Sequence, residues 1–140
     1  MVPAIRSLAA EFAGRAGLVT VYTVEAHAAD EWPISSCRFN RVNGAPSEEP
    51  VCVPQPRSDA ARLELAKSFV TDFGYPGTMV VDPPEAGSPF EAAFACWPFR
   101  FYGVTWADGM PVISYVAHPR DCGYSAVELR NWLLTAISEH

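Results

Sequence analysis

No run of apolar residues approaches the ~20 needed to cross a bilayer. The chain does not open on a charged segment followed by an apolar core either, so the sequence predicts no membrane span, no signal peptide and a cytoplasmic location. Lys and Arg form no cluster, and the formal net charge is −6. Phosphate recognition needs concentrated positive charge, which excludes nucleic acid and anionic membrane surfaces as expected partners. The four cysteines, Cys37, Cys52, Cys96 and Cys122, make no CxxC pair and no metal-ligand spacing, so neither a metal nor another cofactor is expected. Small molecules and proteins remain as partners, a second copy of the chain included.

What is present suits one small domain covering residues 1–140, since 140 residues with 49% hydrophobic content sit in the usual size range for a single core. The most informative stretch runs from Leu18 to Trp32. It begins as a β-branched and aromatic run, as a buried strand does, and ends in ionisable and aromatic residues. Ligands of open α/β sheets bind beyond the C-terminal ends of parallel strands. Tyr22, Glu25, His27, Asp30 and Trp32 would meet a ligand there.

Along the chain, Ile5, Leu8, Ala9 and Phe12 fall at helical spacing before Gly14 and Gly17. A strand over Leu18 to Val24 is followed by a long loop, Ala28 to Pro56, containing a turn at Asn43-Gly-Ala-Pro46. Ser58 opens a second helix with Leu63, Ala66, Val70 and Phe73 on one face, and Thr78 to Asp82 reads as a strand. Ser88-Pro-Phe-Glu91 and Ser125-Ala-Val-Glu128 have the form of capping boxes, the first opening a helix to about Ala95 that Trp97-Pro98 ends. Between them, Arg100 to Thr105 and Pro111 to Val116 predict a hairpin around Ala107-Asp-Gly109. The last helix buries Leu129, Trp132, Leu133 and Ala136.

The stretch Val21-Tyr-Thr-Val-Glu-Ala-His-Ala-Ala-Asp-Glu-Trp32 resembles the VYIxEAHxSDGW signature of the iodothyronine deiodinases and their bacterial relatives. Pro54-Gln-Pro-Arg57 is similar to the family's PQHR, Val80-Val-Asp82 to its LVLD strand end, and Arg100-Phe-Tyr102 to its RLYVI strand. Gly123-Tyr-Ser-Ala-Val-Glu-Leu-Arg-Asn-Trp-Leu133 resembles GYQVSELRTWL. The resemblance implies an α/β chain with a thioredoxin-like fold, a mixed sheet flanked by helices, and a loop insertion at about 35–50. In the family a strand and a loop carrying selenocysteine or cysteine precede the helix matched by Val2 to Phe12. The resemblance therefore implies a fold without its first strand and a site without the usual nucleophile. A homodimer covering the exposed sheet edge is one expected consequence, and closing up of the sheet another.

Tyr22, Glu25 and His27 stand in register with the family's site residues, while Pro56 replaces a second histidine. Glu25 and His27 are two residues apart past a strand end, and a histidine steadied by a carboxylate suits proton transfer near neutral pH. Trp32, Arg57, Trp97, Pro98 and Arg120 are the expected substrate-binding residues, with Trp97-Pro98 where thioredoxin-like folds put a cis-proline. Cys122, just before a helix start and close to Arg120, is the candidate relocated nucleophile. Cys37 and Cys52 flank the insertion, as free thiols or as a disulfide closing it.

Three functions stay open. The favoured one is acid–base chemistry on an aromatic or hydrophobic metabolite, whether proton transfer, elimination, cyclisation or hydrolysis, through Glu25, His27 and Tyr22. A thiol-dependent oxidoreductase or reductive dehalogenase using one of the four cysteines is the second. A binding or accessory protein without turnover is the third.

Overall fold

The computed structural model describes residues 1–32, 41–42, 45–46, 53–96, 99–117 and 125–138. The chain is α/β. Its elements are α1 (Val2–Glu11), β1 (Val19–Tyr22), β2 (Arg41–Val42), β3 (Ala45–Pro46), α2 (Asp59–Phe73), β4 (Thr78–Val81), α3 (Pro89–Phe94), β5 (Tyr102–Ala107), β6 (Met110–Val116) and α4 (Ala126–Ser138), with a 3-10 turn at Pro84–Ala86. It divides into two compact units, one of residues 18–97 with Val2, the other of residues 3–17 and 98–140 with Met1. Strands pair two by two: β1 with β4 in parallel, β2 with β3 and β5 with β6 antiparallel.

In the continuous unit, β1 and β4 set Val19 opposite Thr78 and Tyr22 opposite Val81. One further bond at the end, from the Asp82 N–H to the Tyr22 carbonyl at 2.9 Å, ties the two strand exits together. Helix α2 starts where Ser58 accepts from the Ala61 N–H at 3.2 Å, and it stops at Gly74 in the left-handed conformation.

The inner face of α2 holds three of the four expected residues. Ala66 is buried, and Val70 and Phe73 are half-buried along with Phe69, whereas Leu63 is 44% exposed and Arg62 is buried in its stead. Arg62 takes the inner position because its guanidinium finds acceptors there: the Asp82 carbonyl at 2.6 Å, Ser88 Oγ at 3.2 Å and the Pro56 carbonyl at 3.5 Å. Phe69 completes the packing against Phe73, Tyr75 and Tyr22, with centroids 4.9, 5.2 and 6.2 Å away.

The start of α3 also differs from expectation. Ser88 has a positive φ of 49° and makes no side-chain cap, because its hydroxyl accepts from Arg62. Asp82 is the cap instead, taking the Phe90 N–H at 2.8 Å and the Glu91 N–H at 2.9 Å on its two carboxylate oxygens. The capping carboxylate thus comes from the end of β4, six residues before Ser88.

In the other unit, Ile5, Leu8 and Phe12 bury one stripe of α1. The β5–β6 hairpin turns at Asp108 and Gly109, both with positive φ (51° and 76°), as a tight two-residue loop requires. Gly103 is fixed by contact: a Cβ there would lie 2.4 Å from the Trp132 ring. The same indole stacks on Tyr115 at 5.4 Å, so Trp132 packs α4 on the hairpin. Ser125 accepts from the Glu128 N–H at 3.3 Å, as its capping box predicts. Arg130 of α4 grips Glu11 of α1 through Nε at 2.9 and 2.8 Å.

Candidate functional site

Tyr22 is the last residue of β1, and the chain turns at once so that the Tyr22 hydroxyl donates to Glu25 Oε1. Gln55 holds that turn. Its side-chain oxygen accepts from the Glu25 N–H at 3.0 Å and its Nε2 donates to the Glu25 carbonyl at 3.2 Å, an amide pair of the kind strands make. The Gln55 N–H donates to Asp30 Oδ1 at 2.7 Å, and the Ala29 N–H to the Val53 carbonyl at 2.8 Å. Residues 53–57 are in this way stitched to residues 25–31.

Between these segments lies a cavity of ≈ 360 Å³ lined by Val24, Glu25, Ala26, Ala28, Glu31, Trp32 and Gln55. Glu25 is the half-buried ionisable group of its wall, and burial raises its pKa above the ordinary carboxylate value while the positive charge of Arg62 opposes that rise. Asp30 shows the opposite direction. The Gln55 N–H, helped by Arg57, holds it below the usual range.

Each residue expected from sequence has a distinct position. His27 is exposed, and its Nδ1 lies 3.2 Å from the Trp32 carbonyl. A carbonyl can only accept, so Nδ1 donates this bond, which in a neutral imidazole puts the lone pair on Nε2. The Trp32 indole meets the His27 ring edge-on at 6.1 Å and is 68% exposed. The expected Glu25–His27 pair is not hydrogen-bonded: Glu25 is taken by Tyr22 and Gln55, and His27 by Trp32. Arg57 does not line the cavity; it bridges Asp30 and Glu31 at 3.4 and 3.2 Å on the surface. Trp97, Pro98, Arg120, Cys122, Cys37 and Cys52 lie outside the described residues, as does the turn at Asn43-Gly44.

Cys96 is buried, and its Sγ donates to Glu91 Oε2 at 2.8 Å. Burial first, then the Glu91 carboxylate, pushes its thiol up to about 11. Among the described residues no group of three or more His, Cys, Asp and Glu could hold a metal. No helix among them is long and apolar enough to cross a membrane.

Sequence reading did not single out Gln55, Arg62 or the capping role of Asp82. Arg62 had a signal available. It stands in line with Ala66, Phe69 and Phe73 on an otherwise apolar stripe, and a charge in such a stripe is buried for a reason. Gln55 had none, since a backbone-mimicking glutamine is defined by where the chain folds. No family model, curated protein or solved structure matches this chain.

Proposed function

We propose that this chain is an acid–base enzyme acting on a small aromatic or hydrophobic molecule, with Glu25 as the group that takes and returns the proton. One observation carries the reading: a half-buried carboxyl with a raised pKa forms the wall of a cavity and is held by a tyrosine hydroxyl. Raising a carboxyl's pKa makes it a better base and lets it hold a proton to higher pH, which is how burial tunes such groups for proton transfer. Tyr22 occupies Oε1, which leaves Oε2 as the oxygen for substrate chemistry in this proposal. The Trp32 indole supplies an aromatic wall, and His27, with its Nε2 lone pair, supplies a second proton acceptor beside it. The resemblance of residues 21–32, 54–57, 80–82, 100–102 and 123–133 to the deiodinase family, with the thioredoxin-like fold that it implies, belongs to this reading.

The thiol-dependent alternative requires a thiolate. Cys96 is a protonated donor to Glu91 and does not fill that role, which leaves Cys37, Cys52 and Cys122, with Cys122 the candidate that the sequence favours.

A panel of aryl esters, halogenated phenols and 5-nitrobenzisoxazole, incubated with the full chain, tests the proposal. The expected result is turnover of at least one probe, a loss of about 10²- to 10⁴-fold in Glu25→Gln, and no loss after alkylation with iodoacetamide. Loss on alkylation with full activity in Glu25→Gln would transfer the chemistry to a thiol. Binding of a probe without turnover would make the chain a binding protein.

A further inference from the structure

The buried charges of the continuous unit form a closed ring of contacts around Glu25. From Glu25, the Tyr22 hydroxyl leads to β1; the Tyr22 carbonyl accepts from the Asp82 N–H, and the Asp82 carbonyl accepts from Arg62. The return path runs from Arg62 to the Pro56 carbonyl, then to the adjacent Gln55, whose side-chain amide clasps the Glu25 backbone. Arg62 and Asp82 are each 2% exposed and are the buried charged side chains among the described residues.

Among the described residues the guanidinium has no hydrogen-bonded carboxylate. Its three acceptors there, the Asp82 carbonyl, Ser88 Oγ and the Pro56 carbonyl, are all neutral, and its buried Nε–H meets no partner among them. Asp82 spends both carboxylate oxygens on N–H groups of α3. A buried cation in this state acts on its surroundings through its field, with little solvent to damp it.

We propose that Arg62 is a positioning residue that acts on Glu25 in two ways, holding the Pro56–Gln55 clasp in place and providing the buried positive charge against which Glu25 ionises. This inference rests on the reading of Glu25 as the proton-transfer group. Other charged and titratable groups surround Glu25, but each is committed elsewhere or solvated. Asp30 and Glu31 are bridged by Arg57 at the surface, His27 is exposed, Glu91 accepts from Cys96, and Tyr22 is the bound hydroxyl. Asp82 touches Arg62 only through its backbone carbonyl and turns its carboxylate to α3. Glu25 becomes a proton store whose affinity Arg62 keeps from rising further.

Nuclear magnetic resonance on the full chain tests this without a substrate. The Arg62 Nε–H is buried, and in the wild type its resonance should move with pH at the same midpoint as the Glu25 carboxyl carbon. In Glu25→Gln that movement should vanish. Arg62→Met should raise the Glu25 midpoint by about one unit or more, the scale of losing an opposite charge nearby, and Arg62→Lys should restore most of it. If Arg62→Met does not fold, the wild type and Glu25→Gln decide alone. An Arg62 resonance that stays flat through the Glu25 titration, or an unmoved Glu25 midpoint in folded Arg62→Met, overturns the proposal. Coupling that persists while Glu25→Gln leaves turnover intact would instead sink the functional reading and keep this one.

Discussion

The Tyr22 hydroxyl touches one oxygen of Glu25, and that hydrogen bond favours the carboxylate. Tyr22→Phe should therefore raise the Glu25 pKa, read from the carboxyl carbon shift, while leaving the strand pairing of β1 untouched because the ring is kept. A lowered or unchanged value would mean that the hydroxyl serves packing alone. Cys96 offers a second residue-level test. With its thiol pushed up to about 11, only about one molecule in a thousand is thiolate near pH 8, against about a quarter for a free thiol of pKa ~8.5. Native Cys96 should react with iodoacetamide at least about 100-fold more slowly than in denaturant, as mass spectrometry of the Cys96 peptide would show. Fast native labelling of Cys96 would reopen the thiol reading at that position.

Elements that the sequence made legible were those whose signals are local. The α2 cap at Ser58, its stop at Gly74, the Asp108-Gly109 turn and the Ser125 capping box each depend on a few adjacent residues, and each stands where its residue types put it. The start of α3 was misread because Ser88-Pro-Phe-Glu91 carries a complete local signal that a tertiary contact overrides. Arg62 draws the Ser88 hydroxyl away and Asp82 supplies the cap from β4. The two substitutions should separate these roles. Asp82→Ala, which strips a cap from α3 and leaves two N–H groups unmet, should destabilise by about 2 kcal/mol or more, and Ser88→Ala by about 1 kcal/mol, measured by urea unfolding. Equal costs would return the cap to Ser88. Packing between elements makes a comparable demand at Gly103. Adding a methyl there drives into the Trp132 ring, so Gly103→Ala should cost about 1 to 3 kcal/mol, with a change in the near-ultraviolet circular dichroism from the Tyr115–Trp132 stack.

For the whole molecule, pH is the variable that sums these local effects. Glu25 has a folded pKa above its unfolded value of about 4.5. As pH climbs from there, the unfolded chain sheds this proton first and stability falls until Glu25 itself ionises. Cys96 adds a second decline in the same direction between about 9 and about 11. Glu11 and Asp30 have lowered values and act oppositely, losing stability as pH falls, but both sit at the surface where such terms are small. Unfolding in urea should accordingly show a decline as pH rises above about 4.5 that Glu25→Gln flattens. Parallel curves for the two proteins would remove Glu25 from the account. The site was half legible at this scale: Tyr22, Glu25 and Trp32 lie together because they share one strand and its exit, whereas Gln55 and Arg62 arrive from distant segments, which spacing cannot foretell.

The ion pair between Glu11 and Arg130 joins residues 119 apart in the chain. During synthesis at about 5 to 20 residues per second, α1 would wait roughly 6 to 24 seconds for the helix that it pairs with. Residues 18–97 can close on themselves well before that. Through this interval the Ile5, Leu8 and Phe12 stripe stays outside any finished core, in easy reach of a chaperone, and the emergence of α4 is the event that ends the exposure.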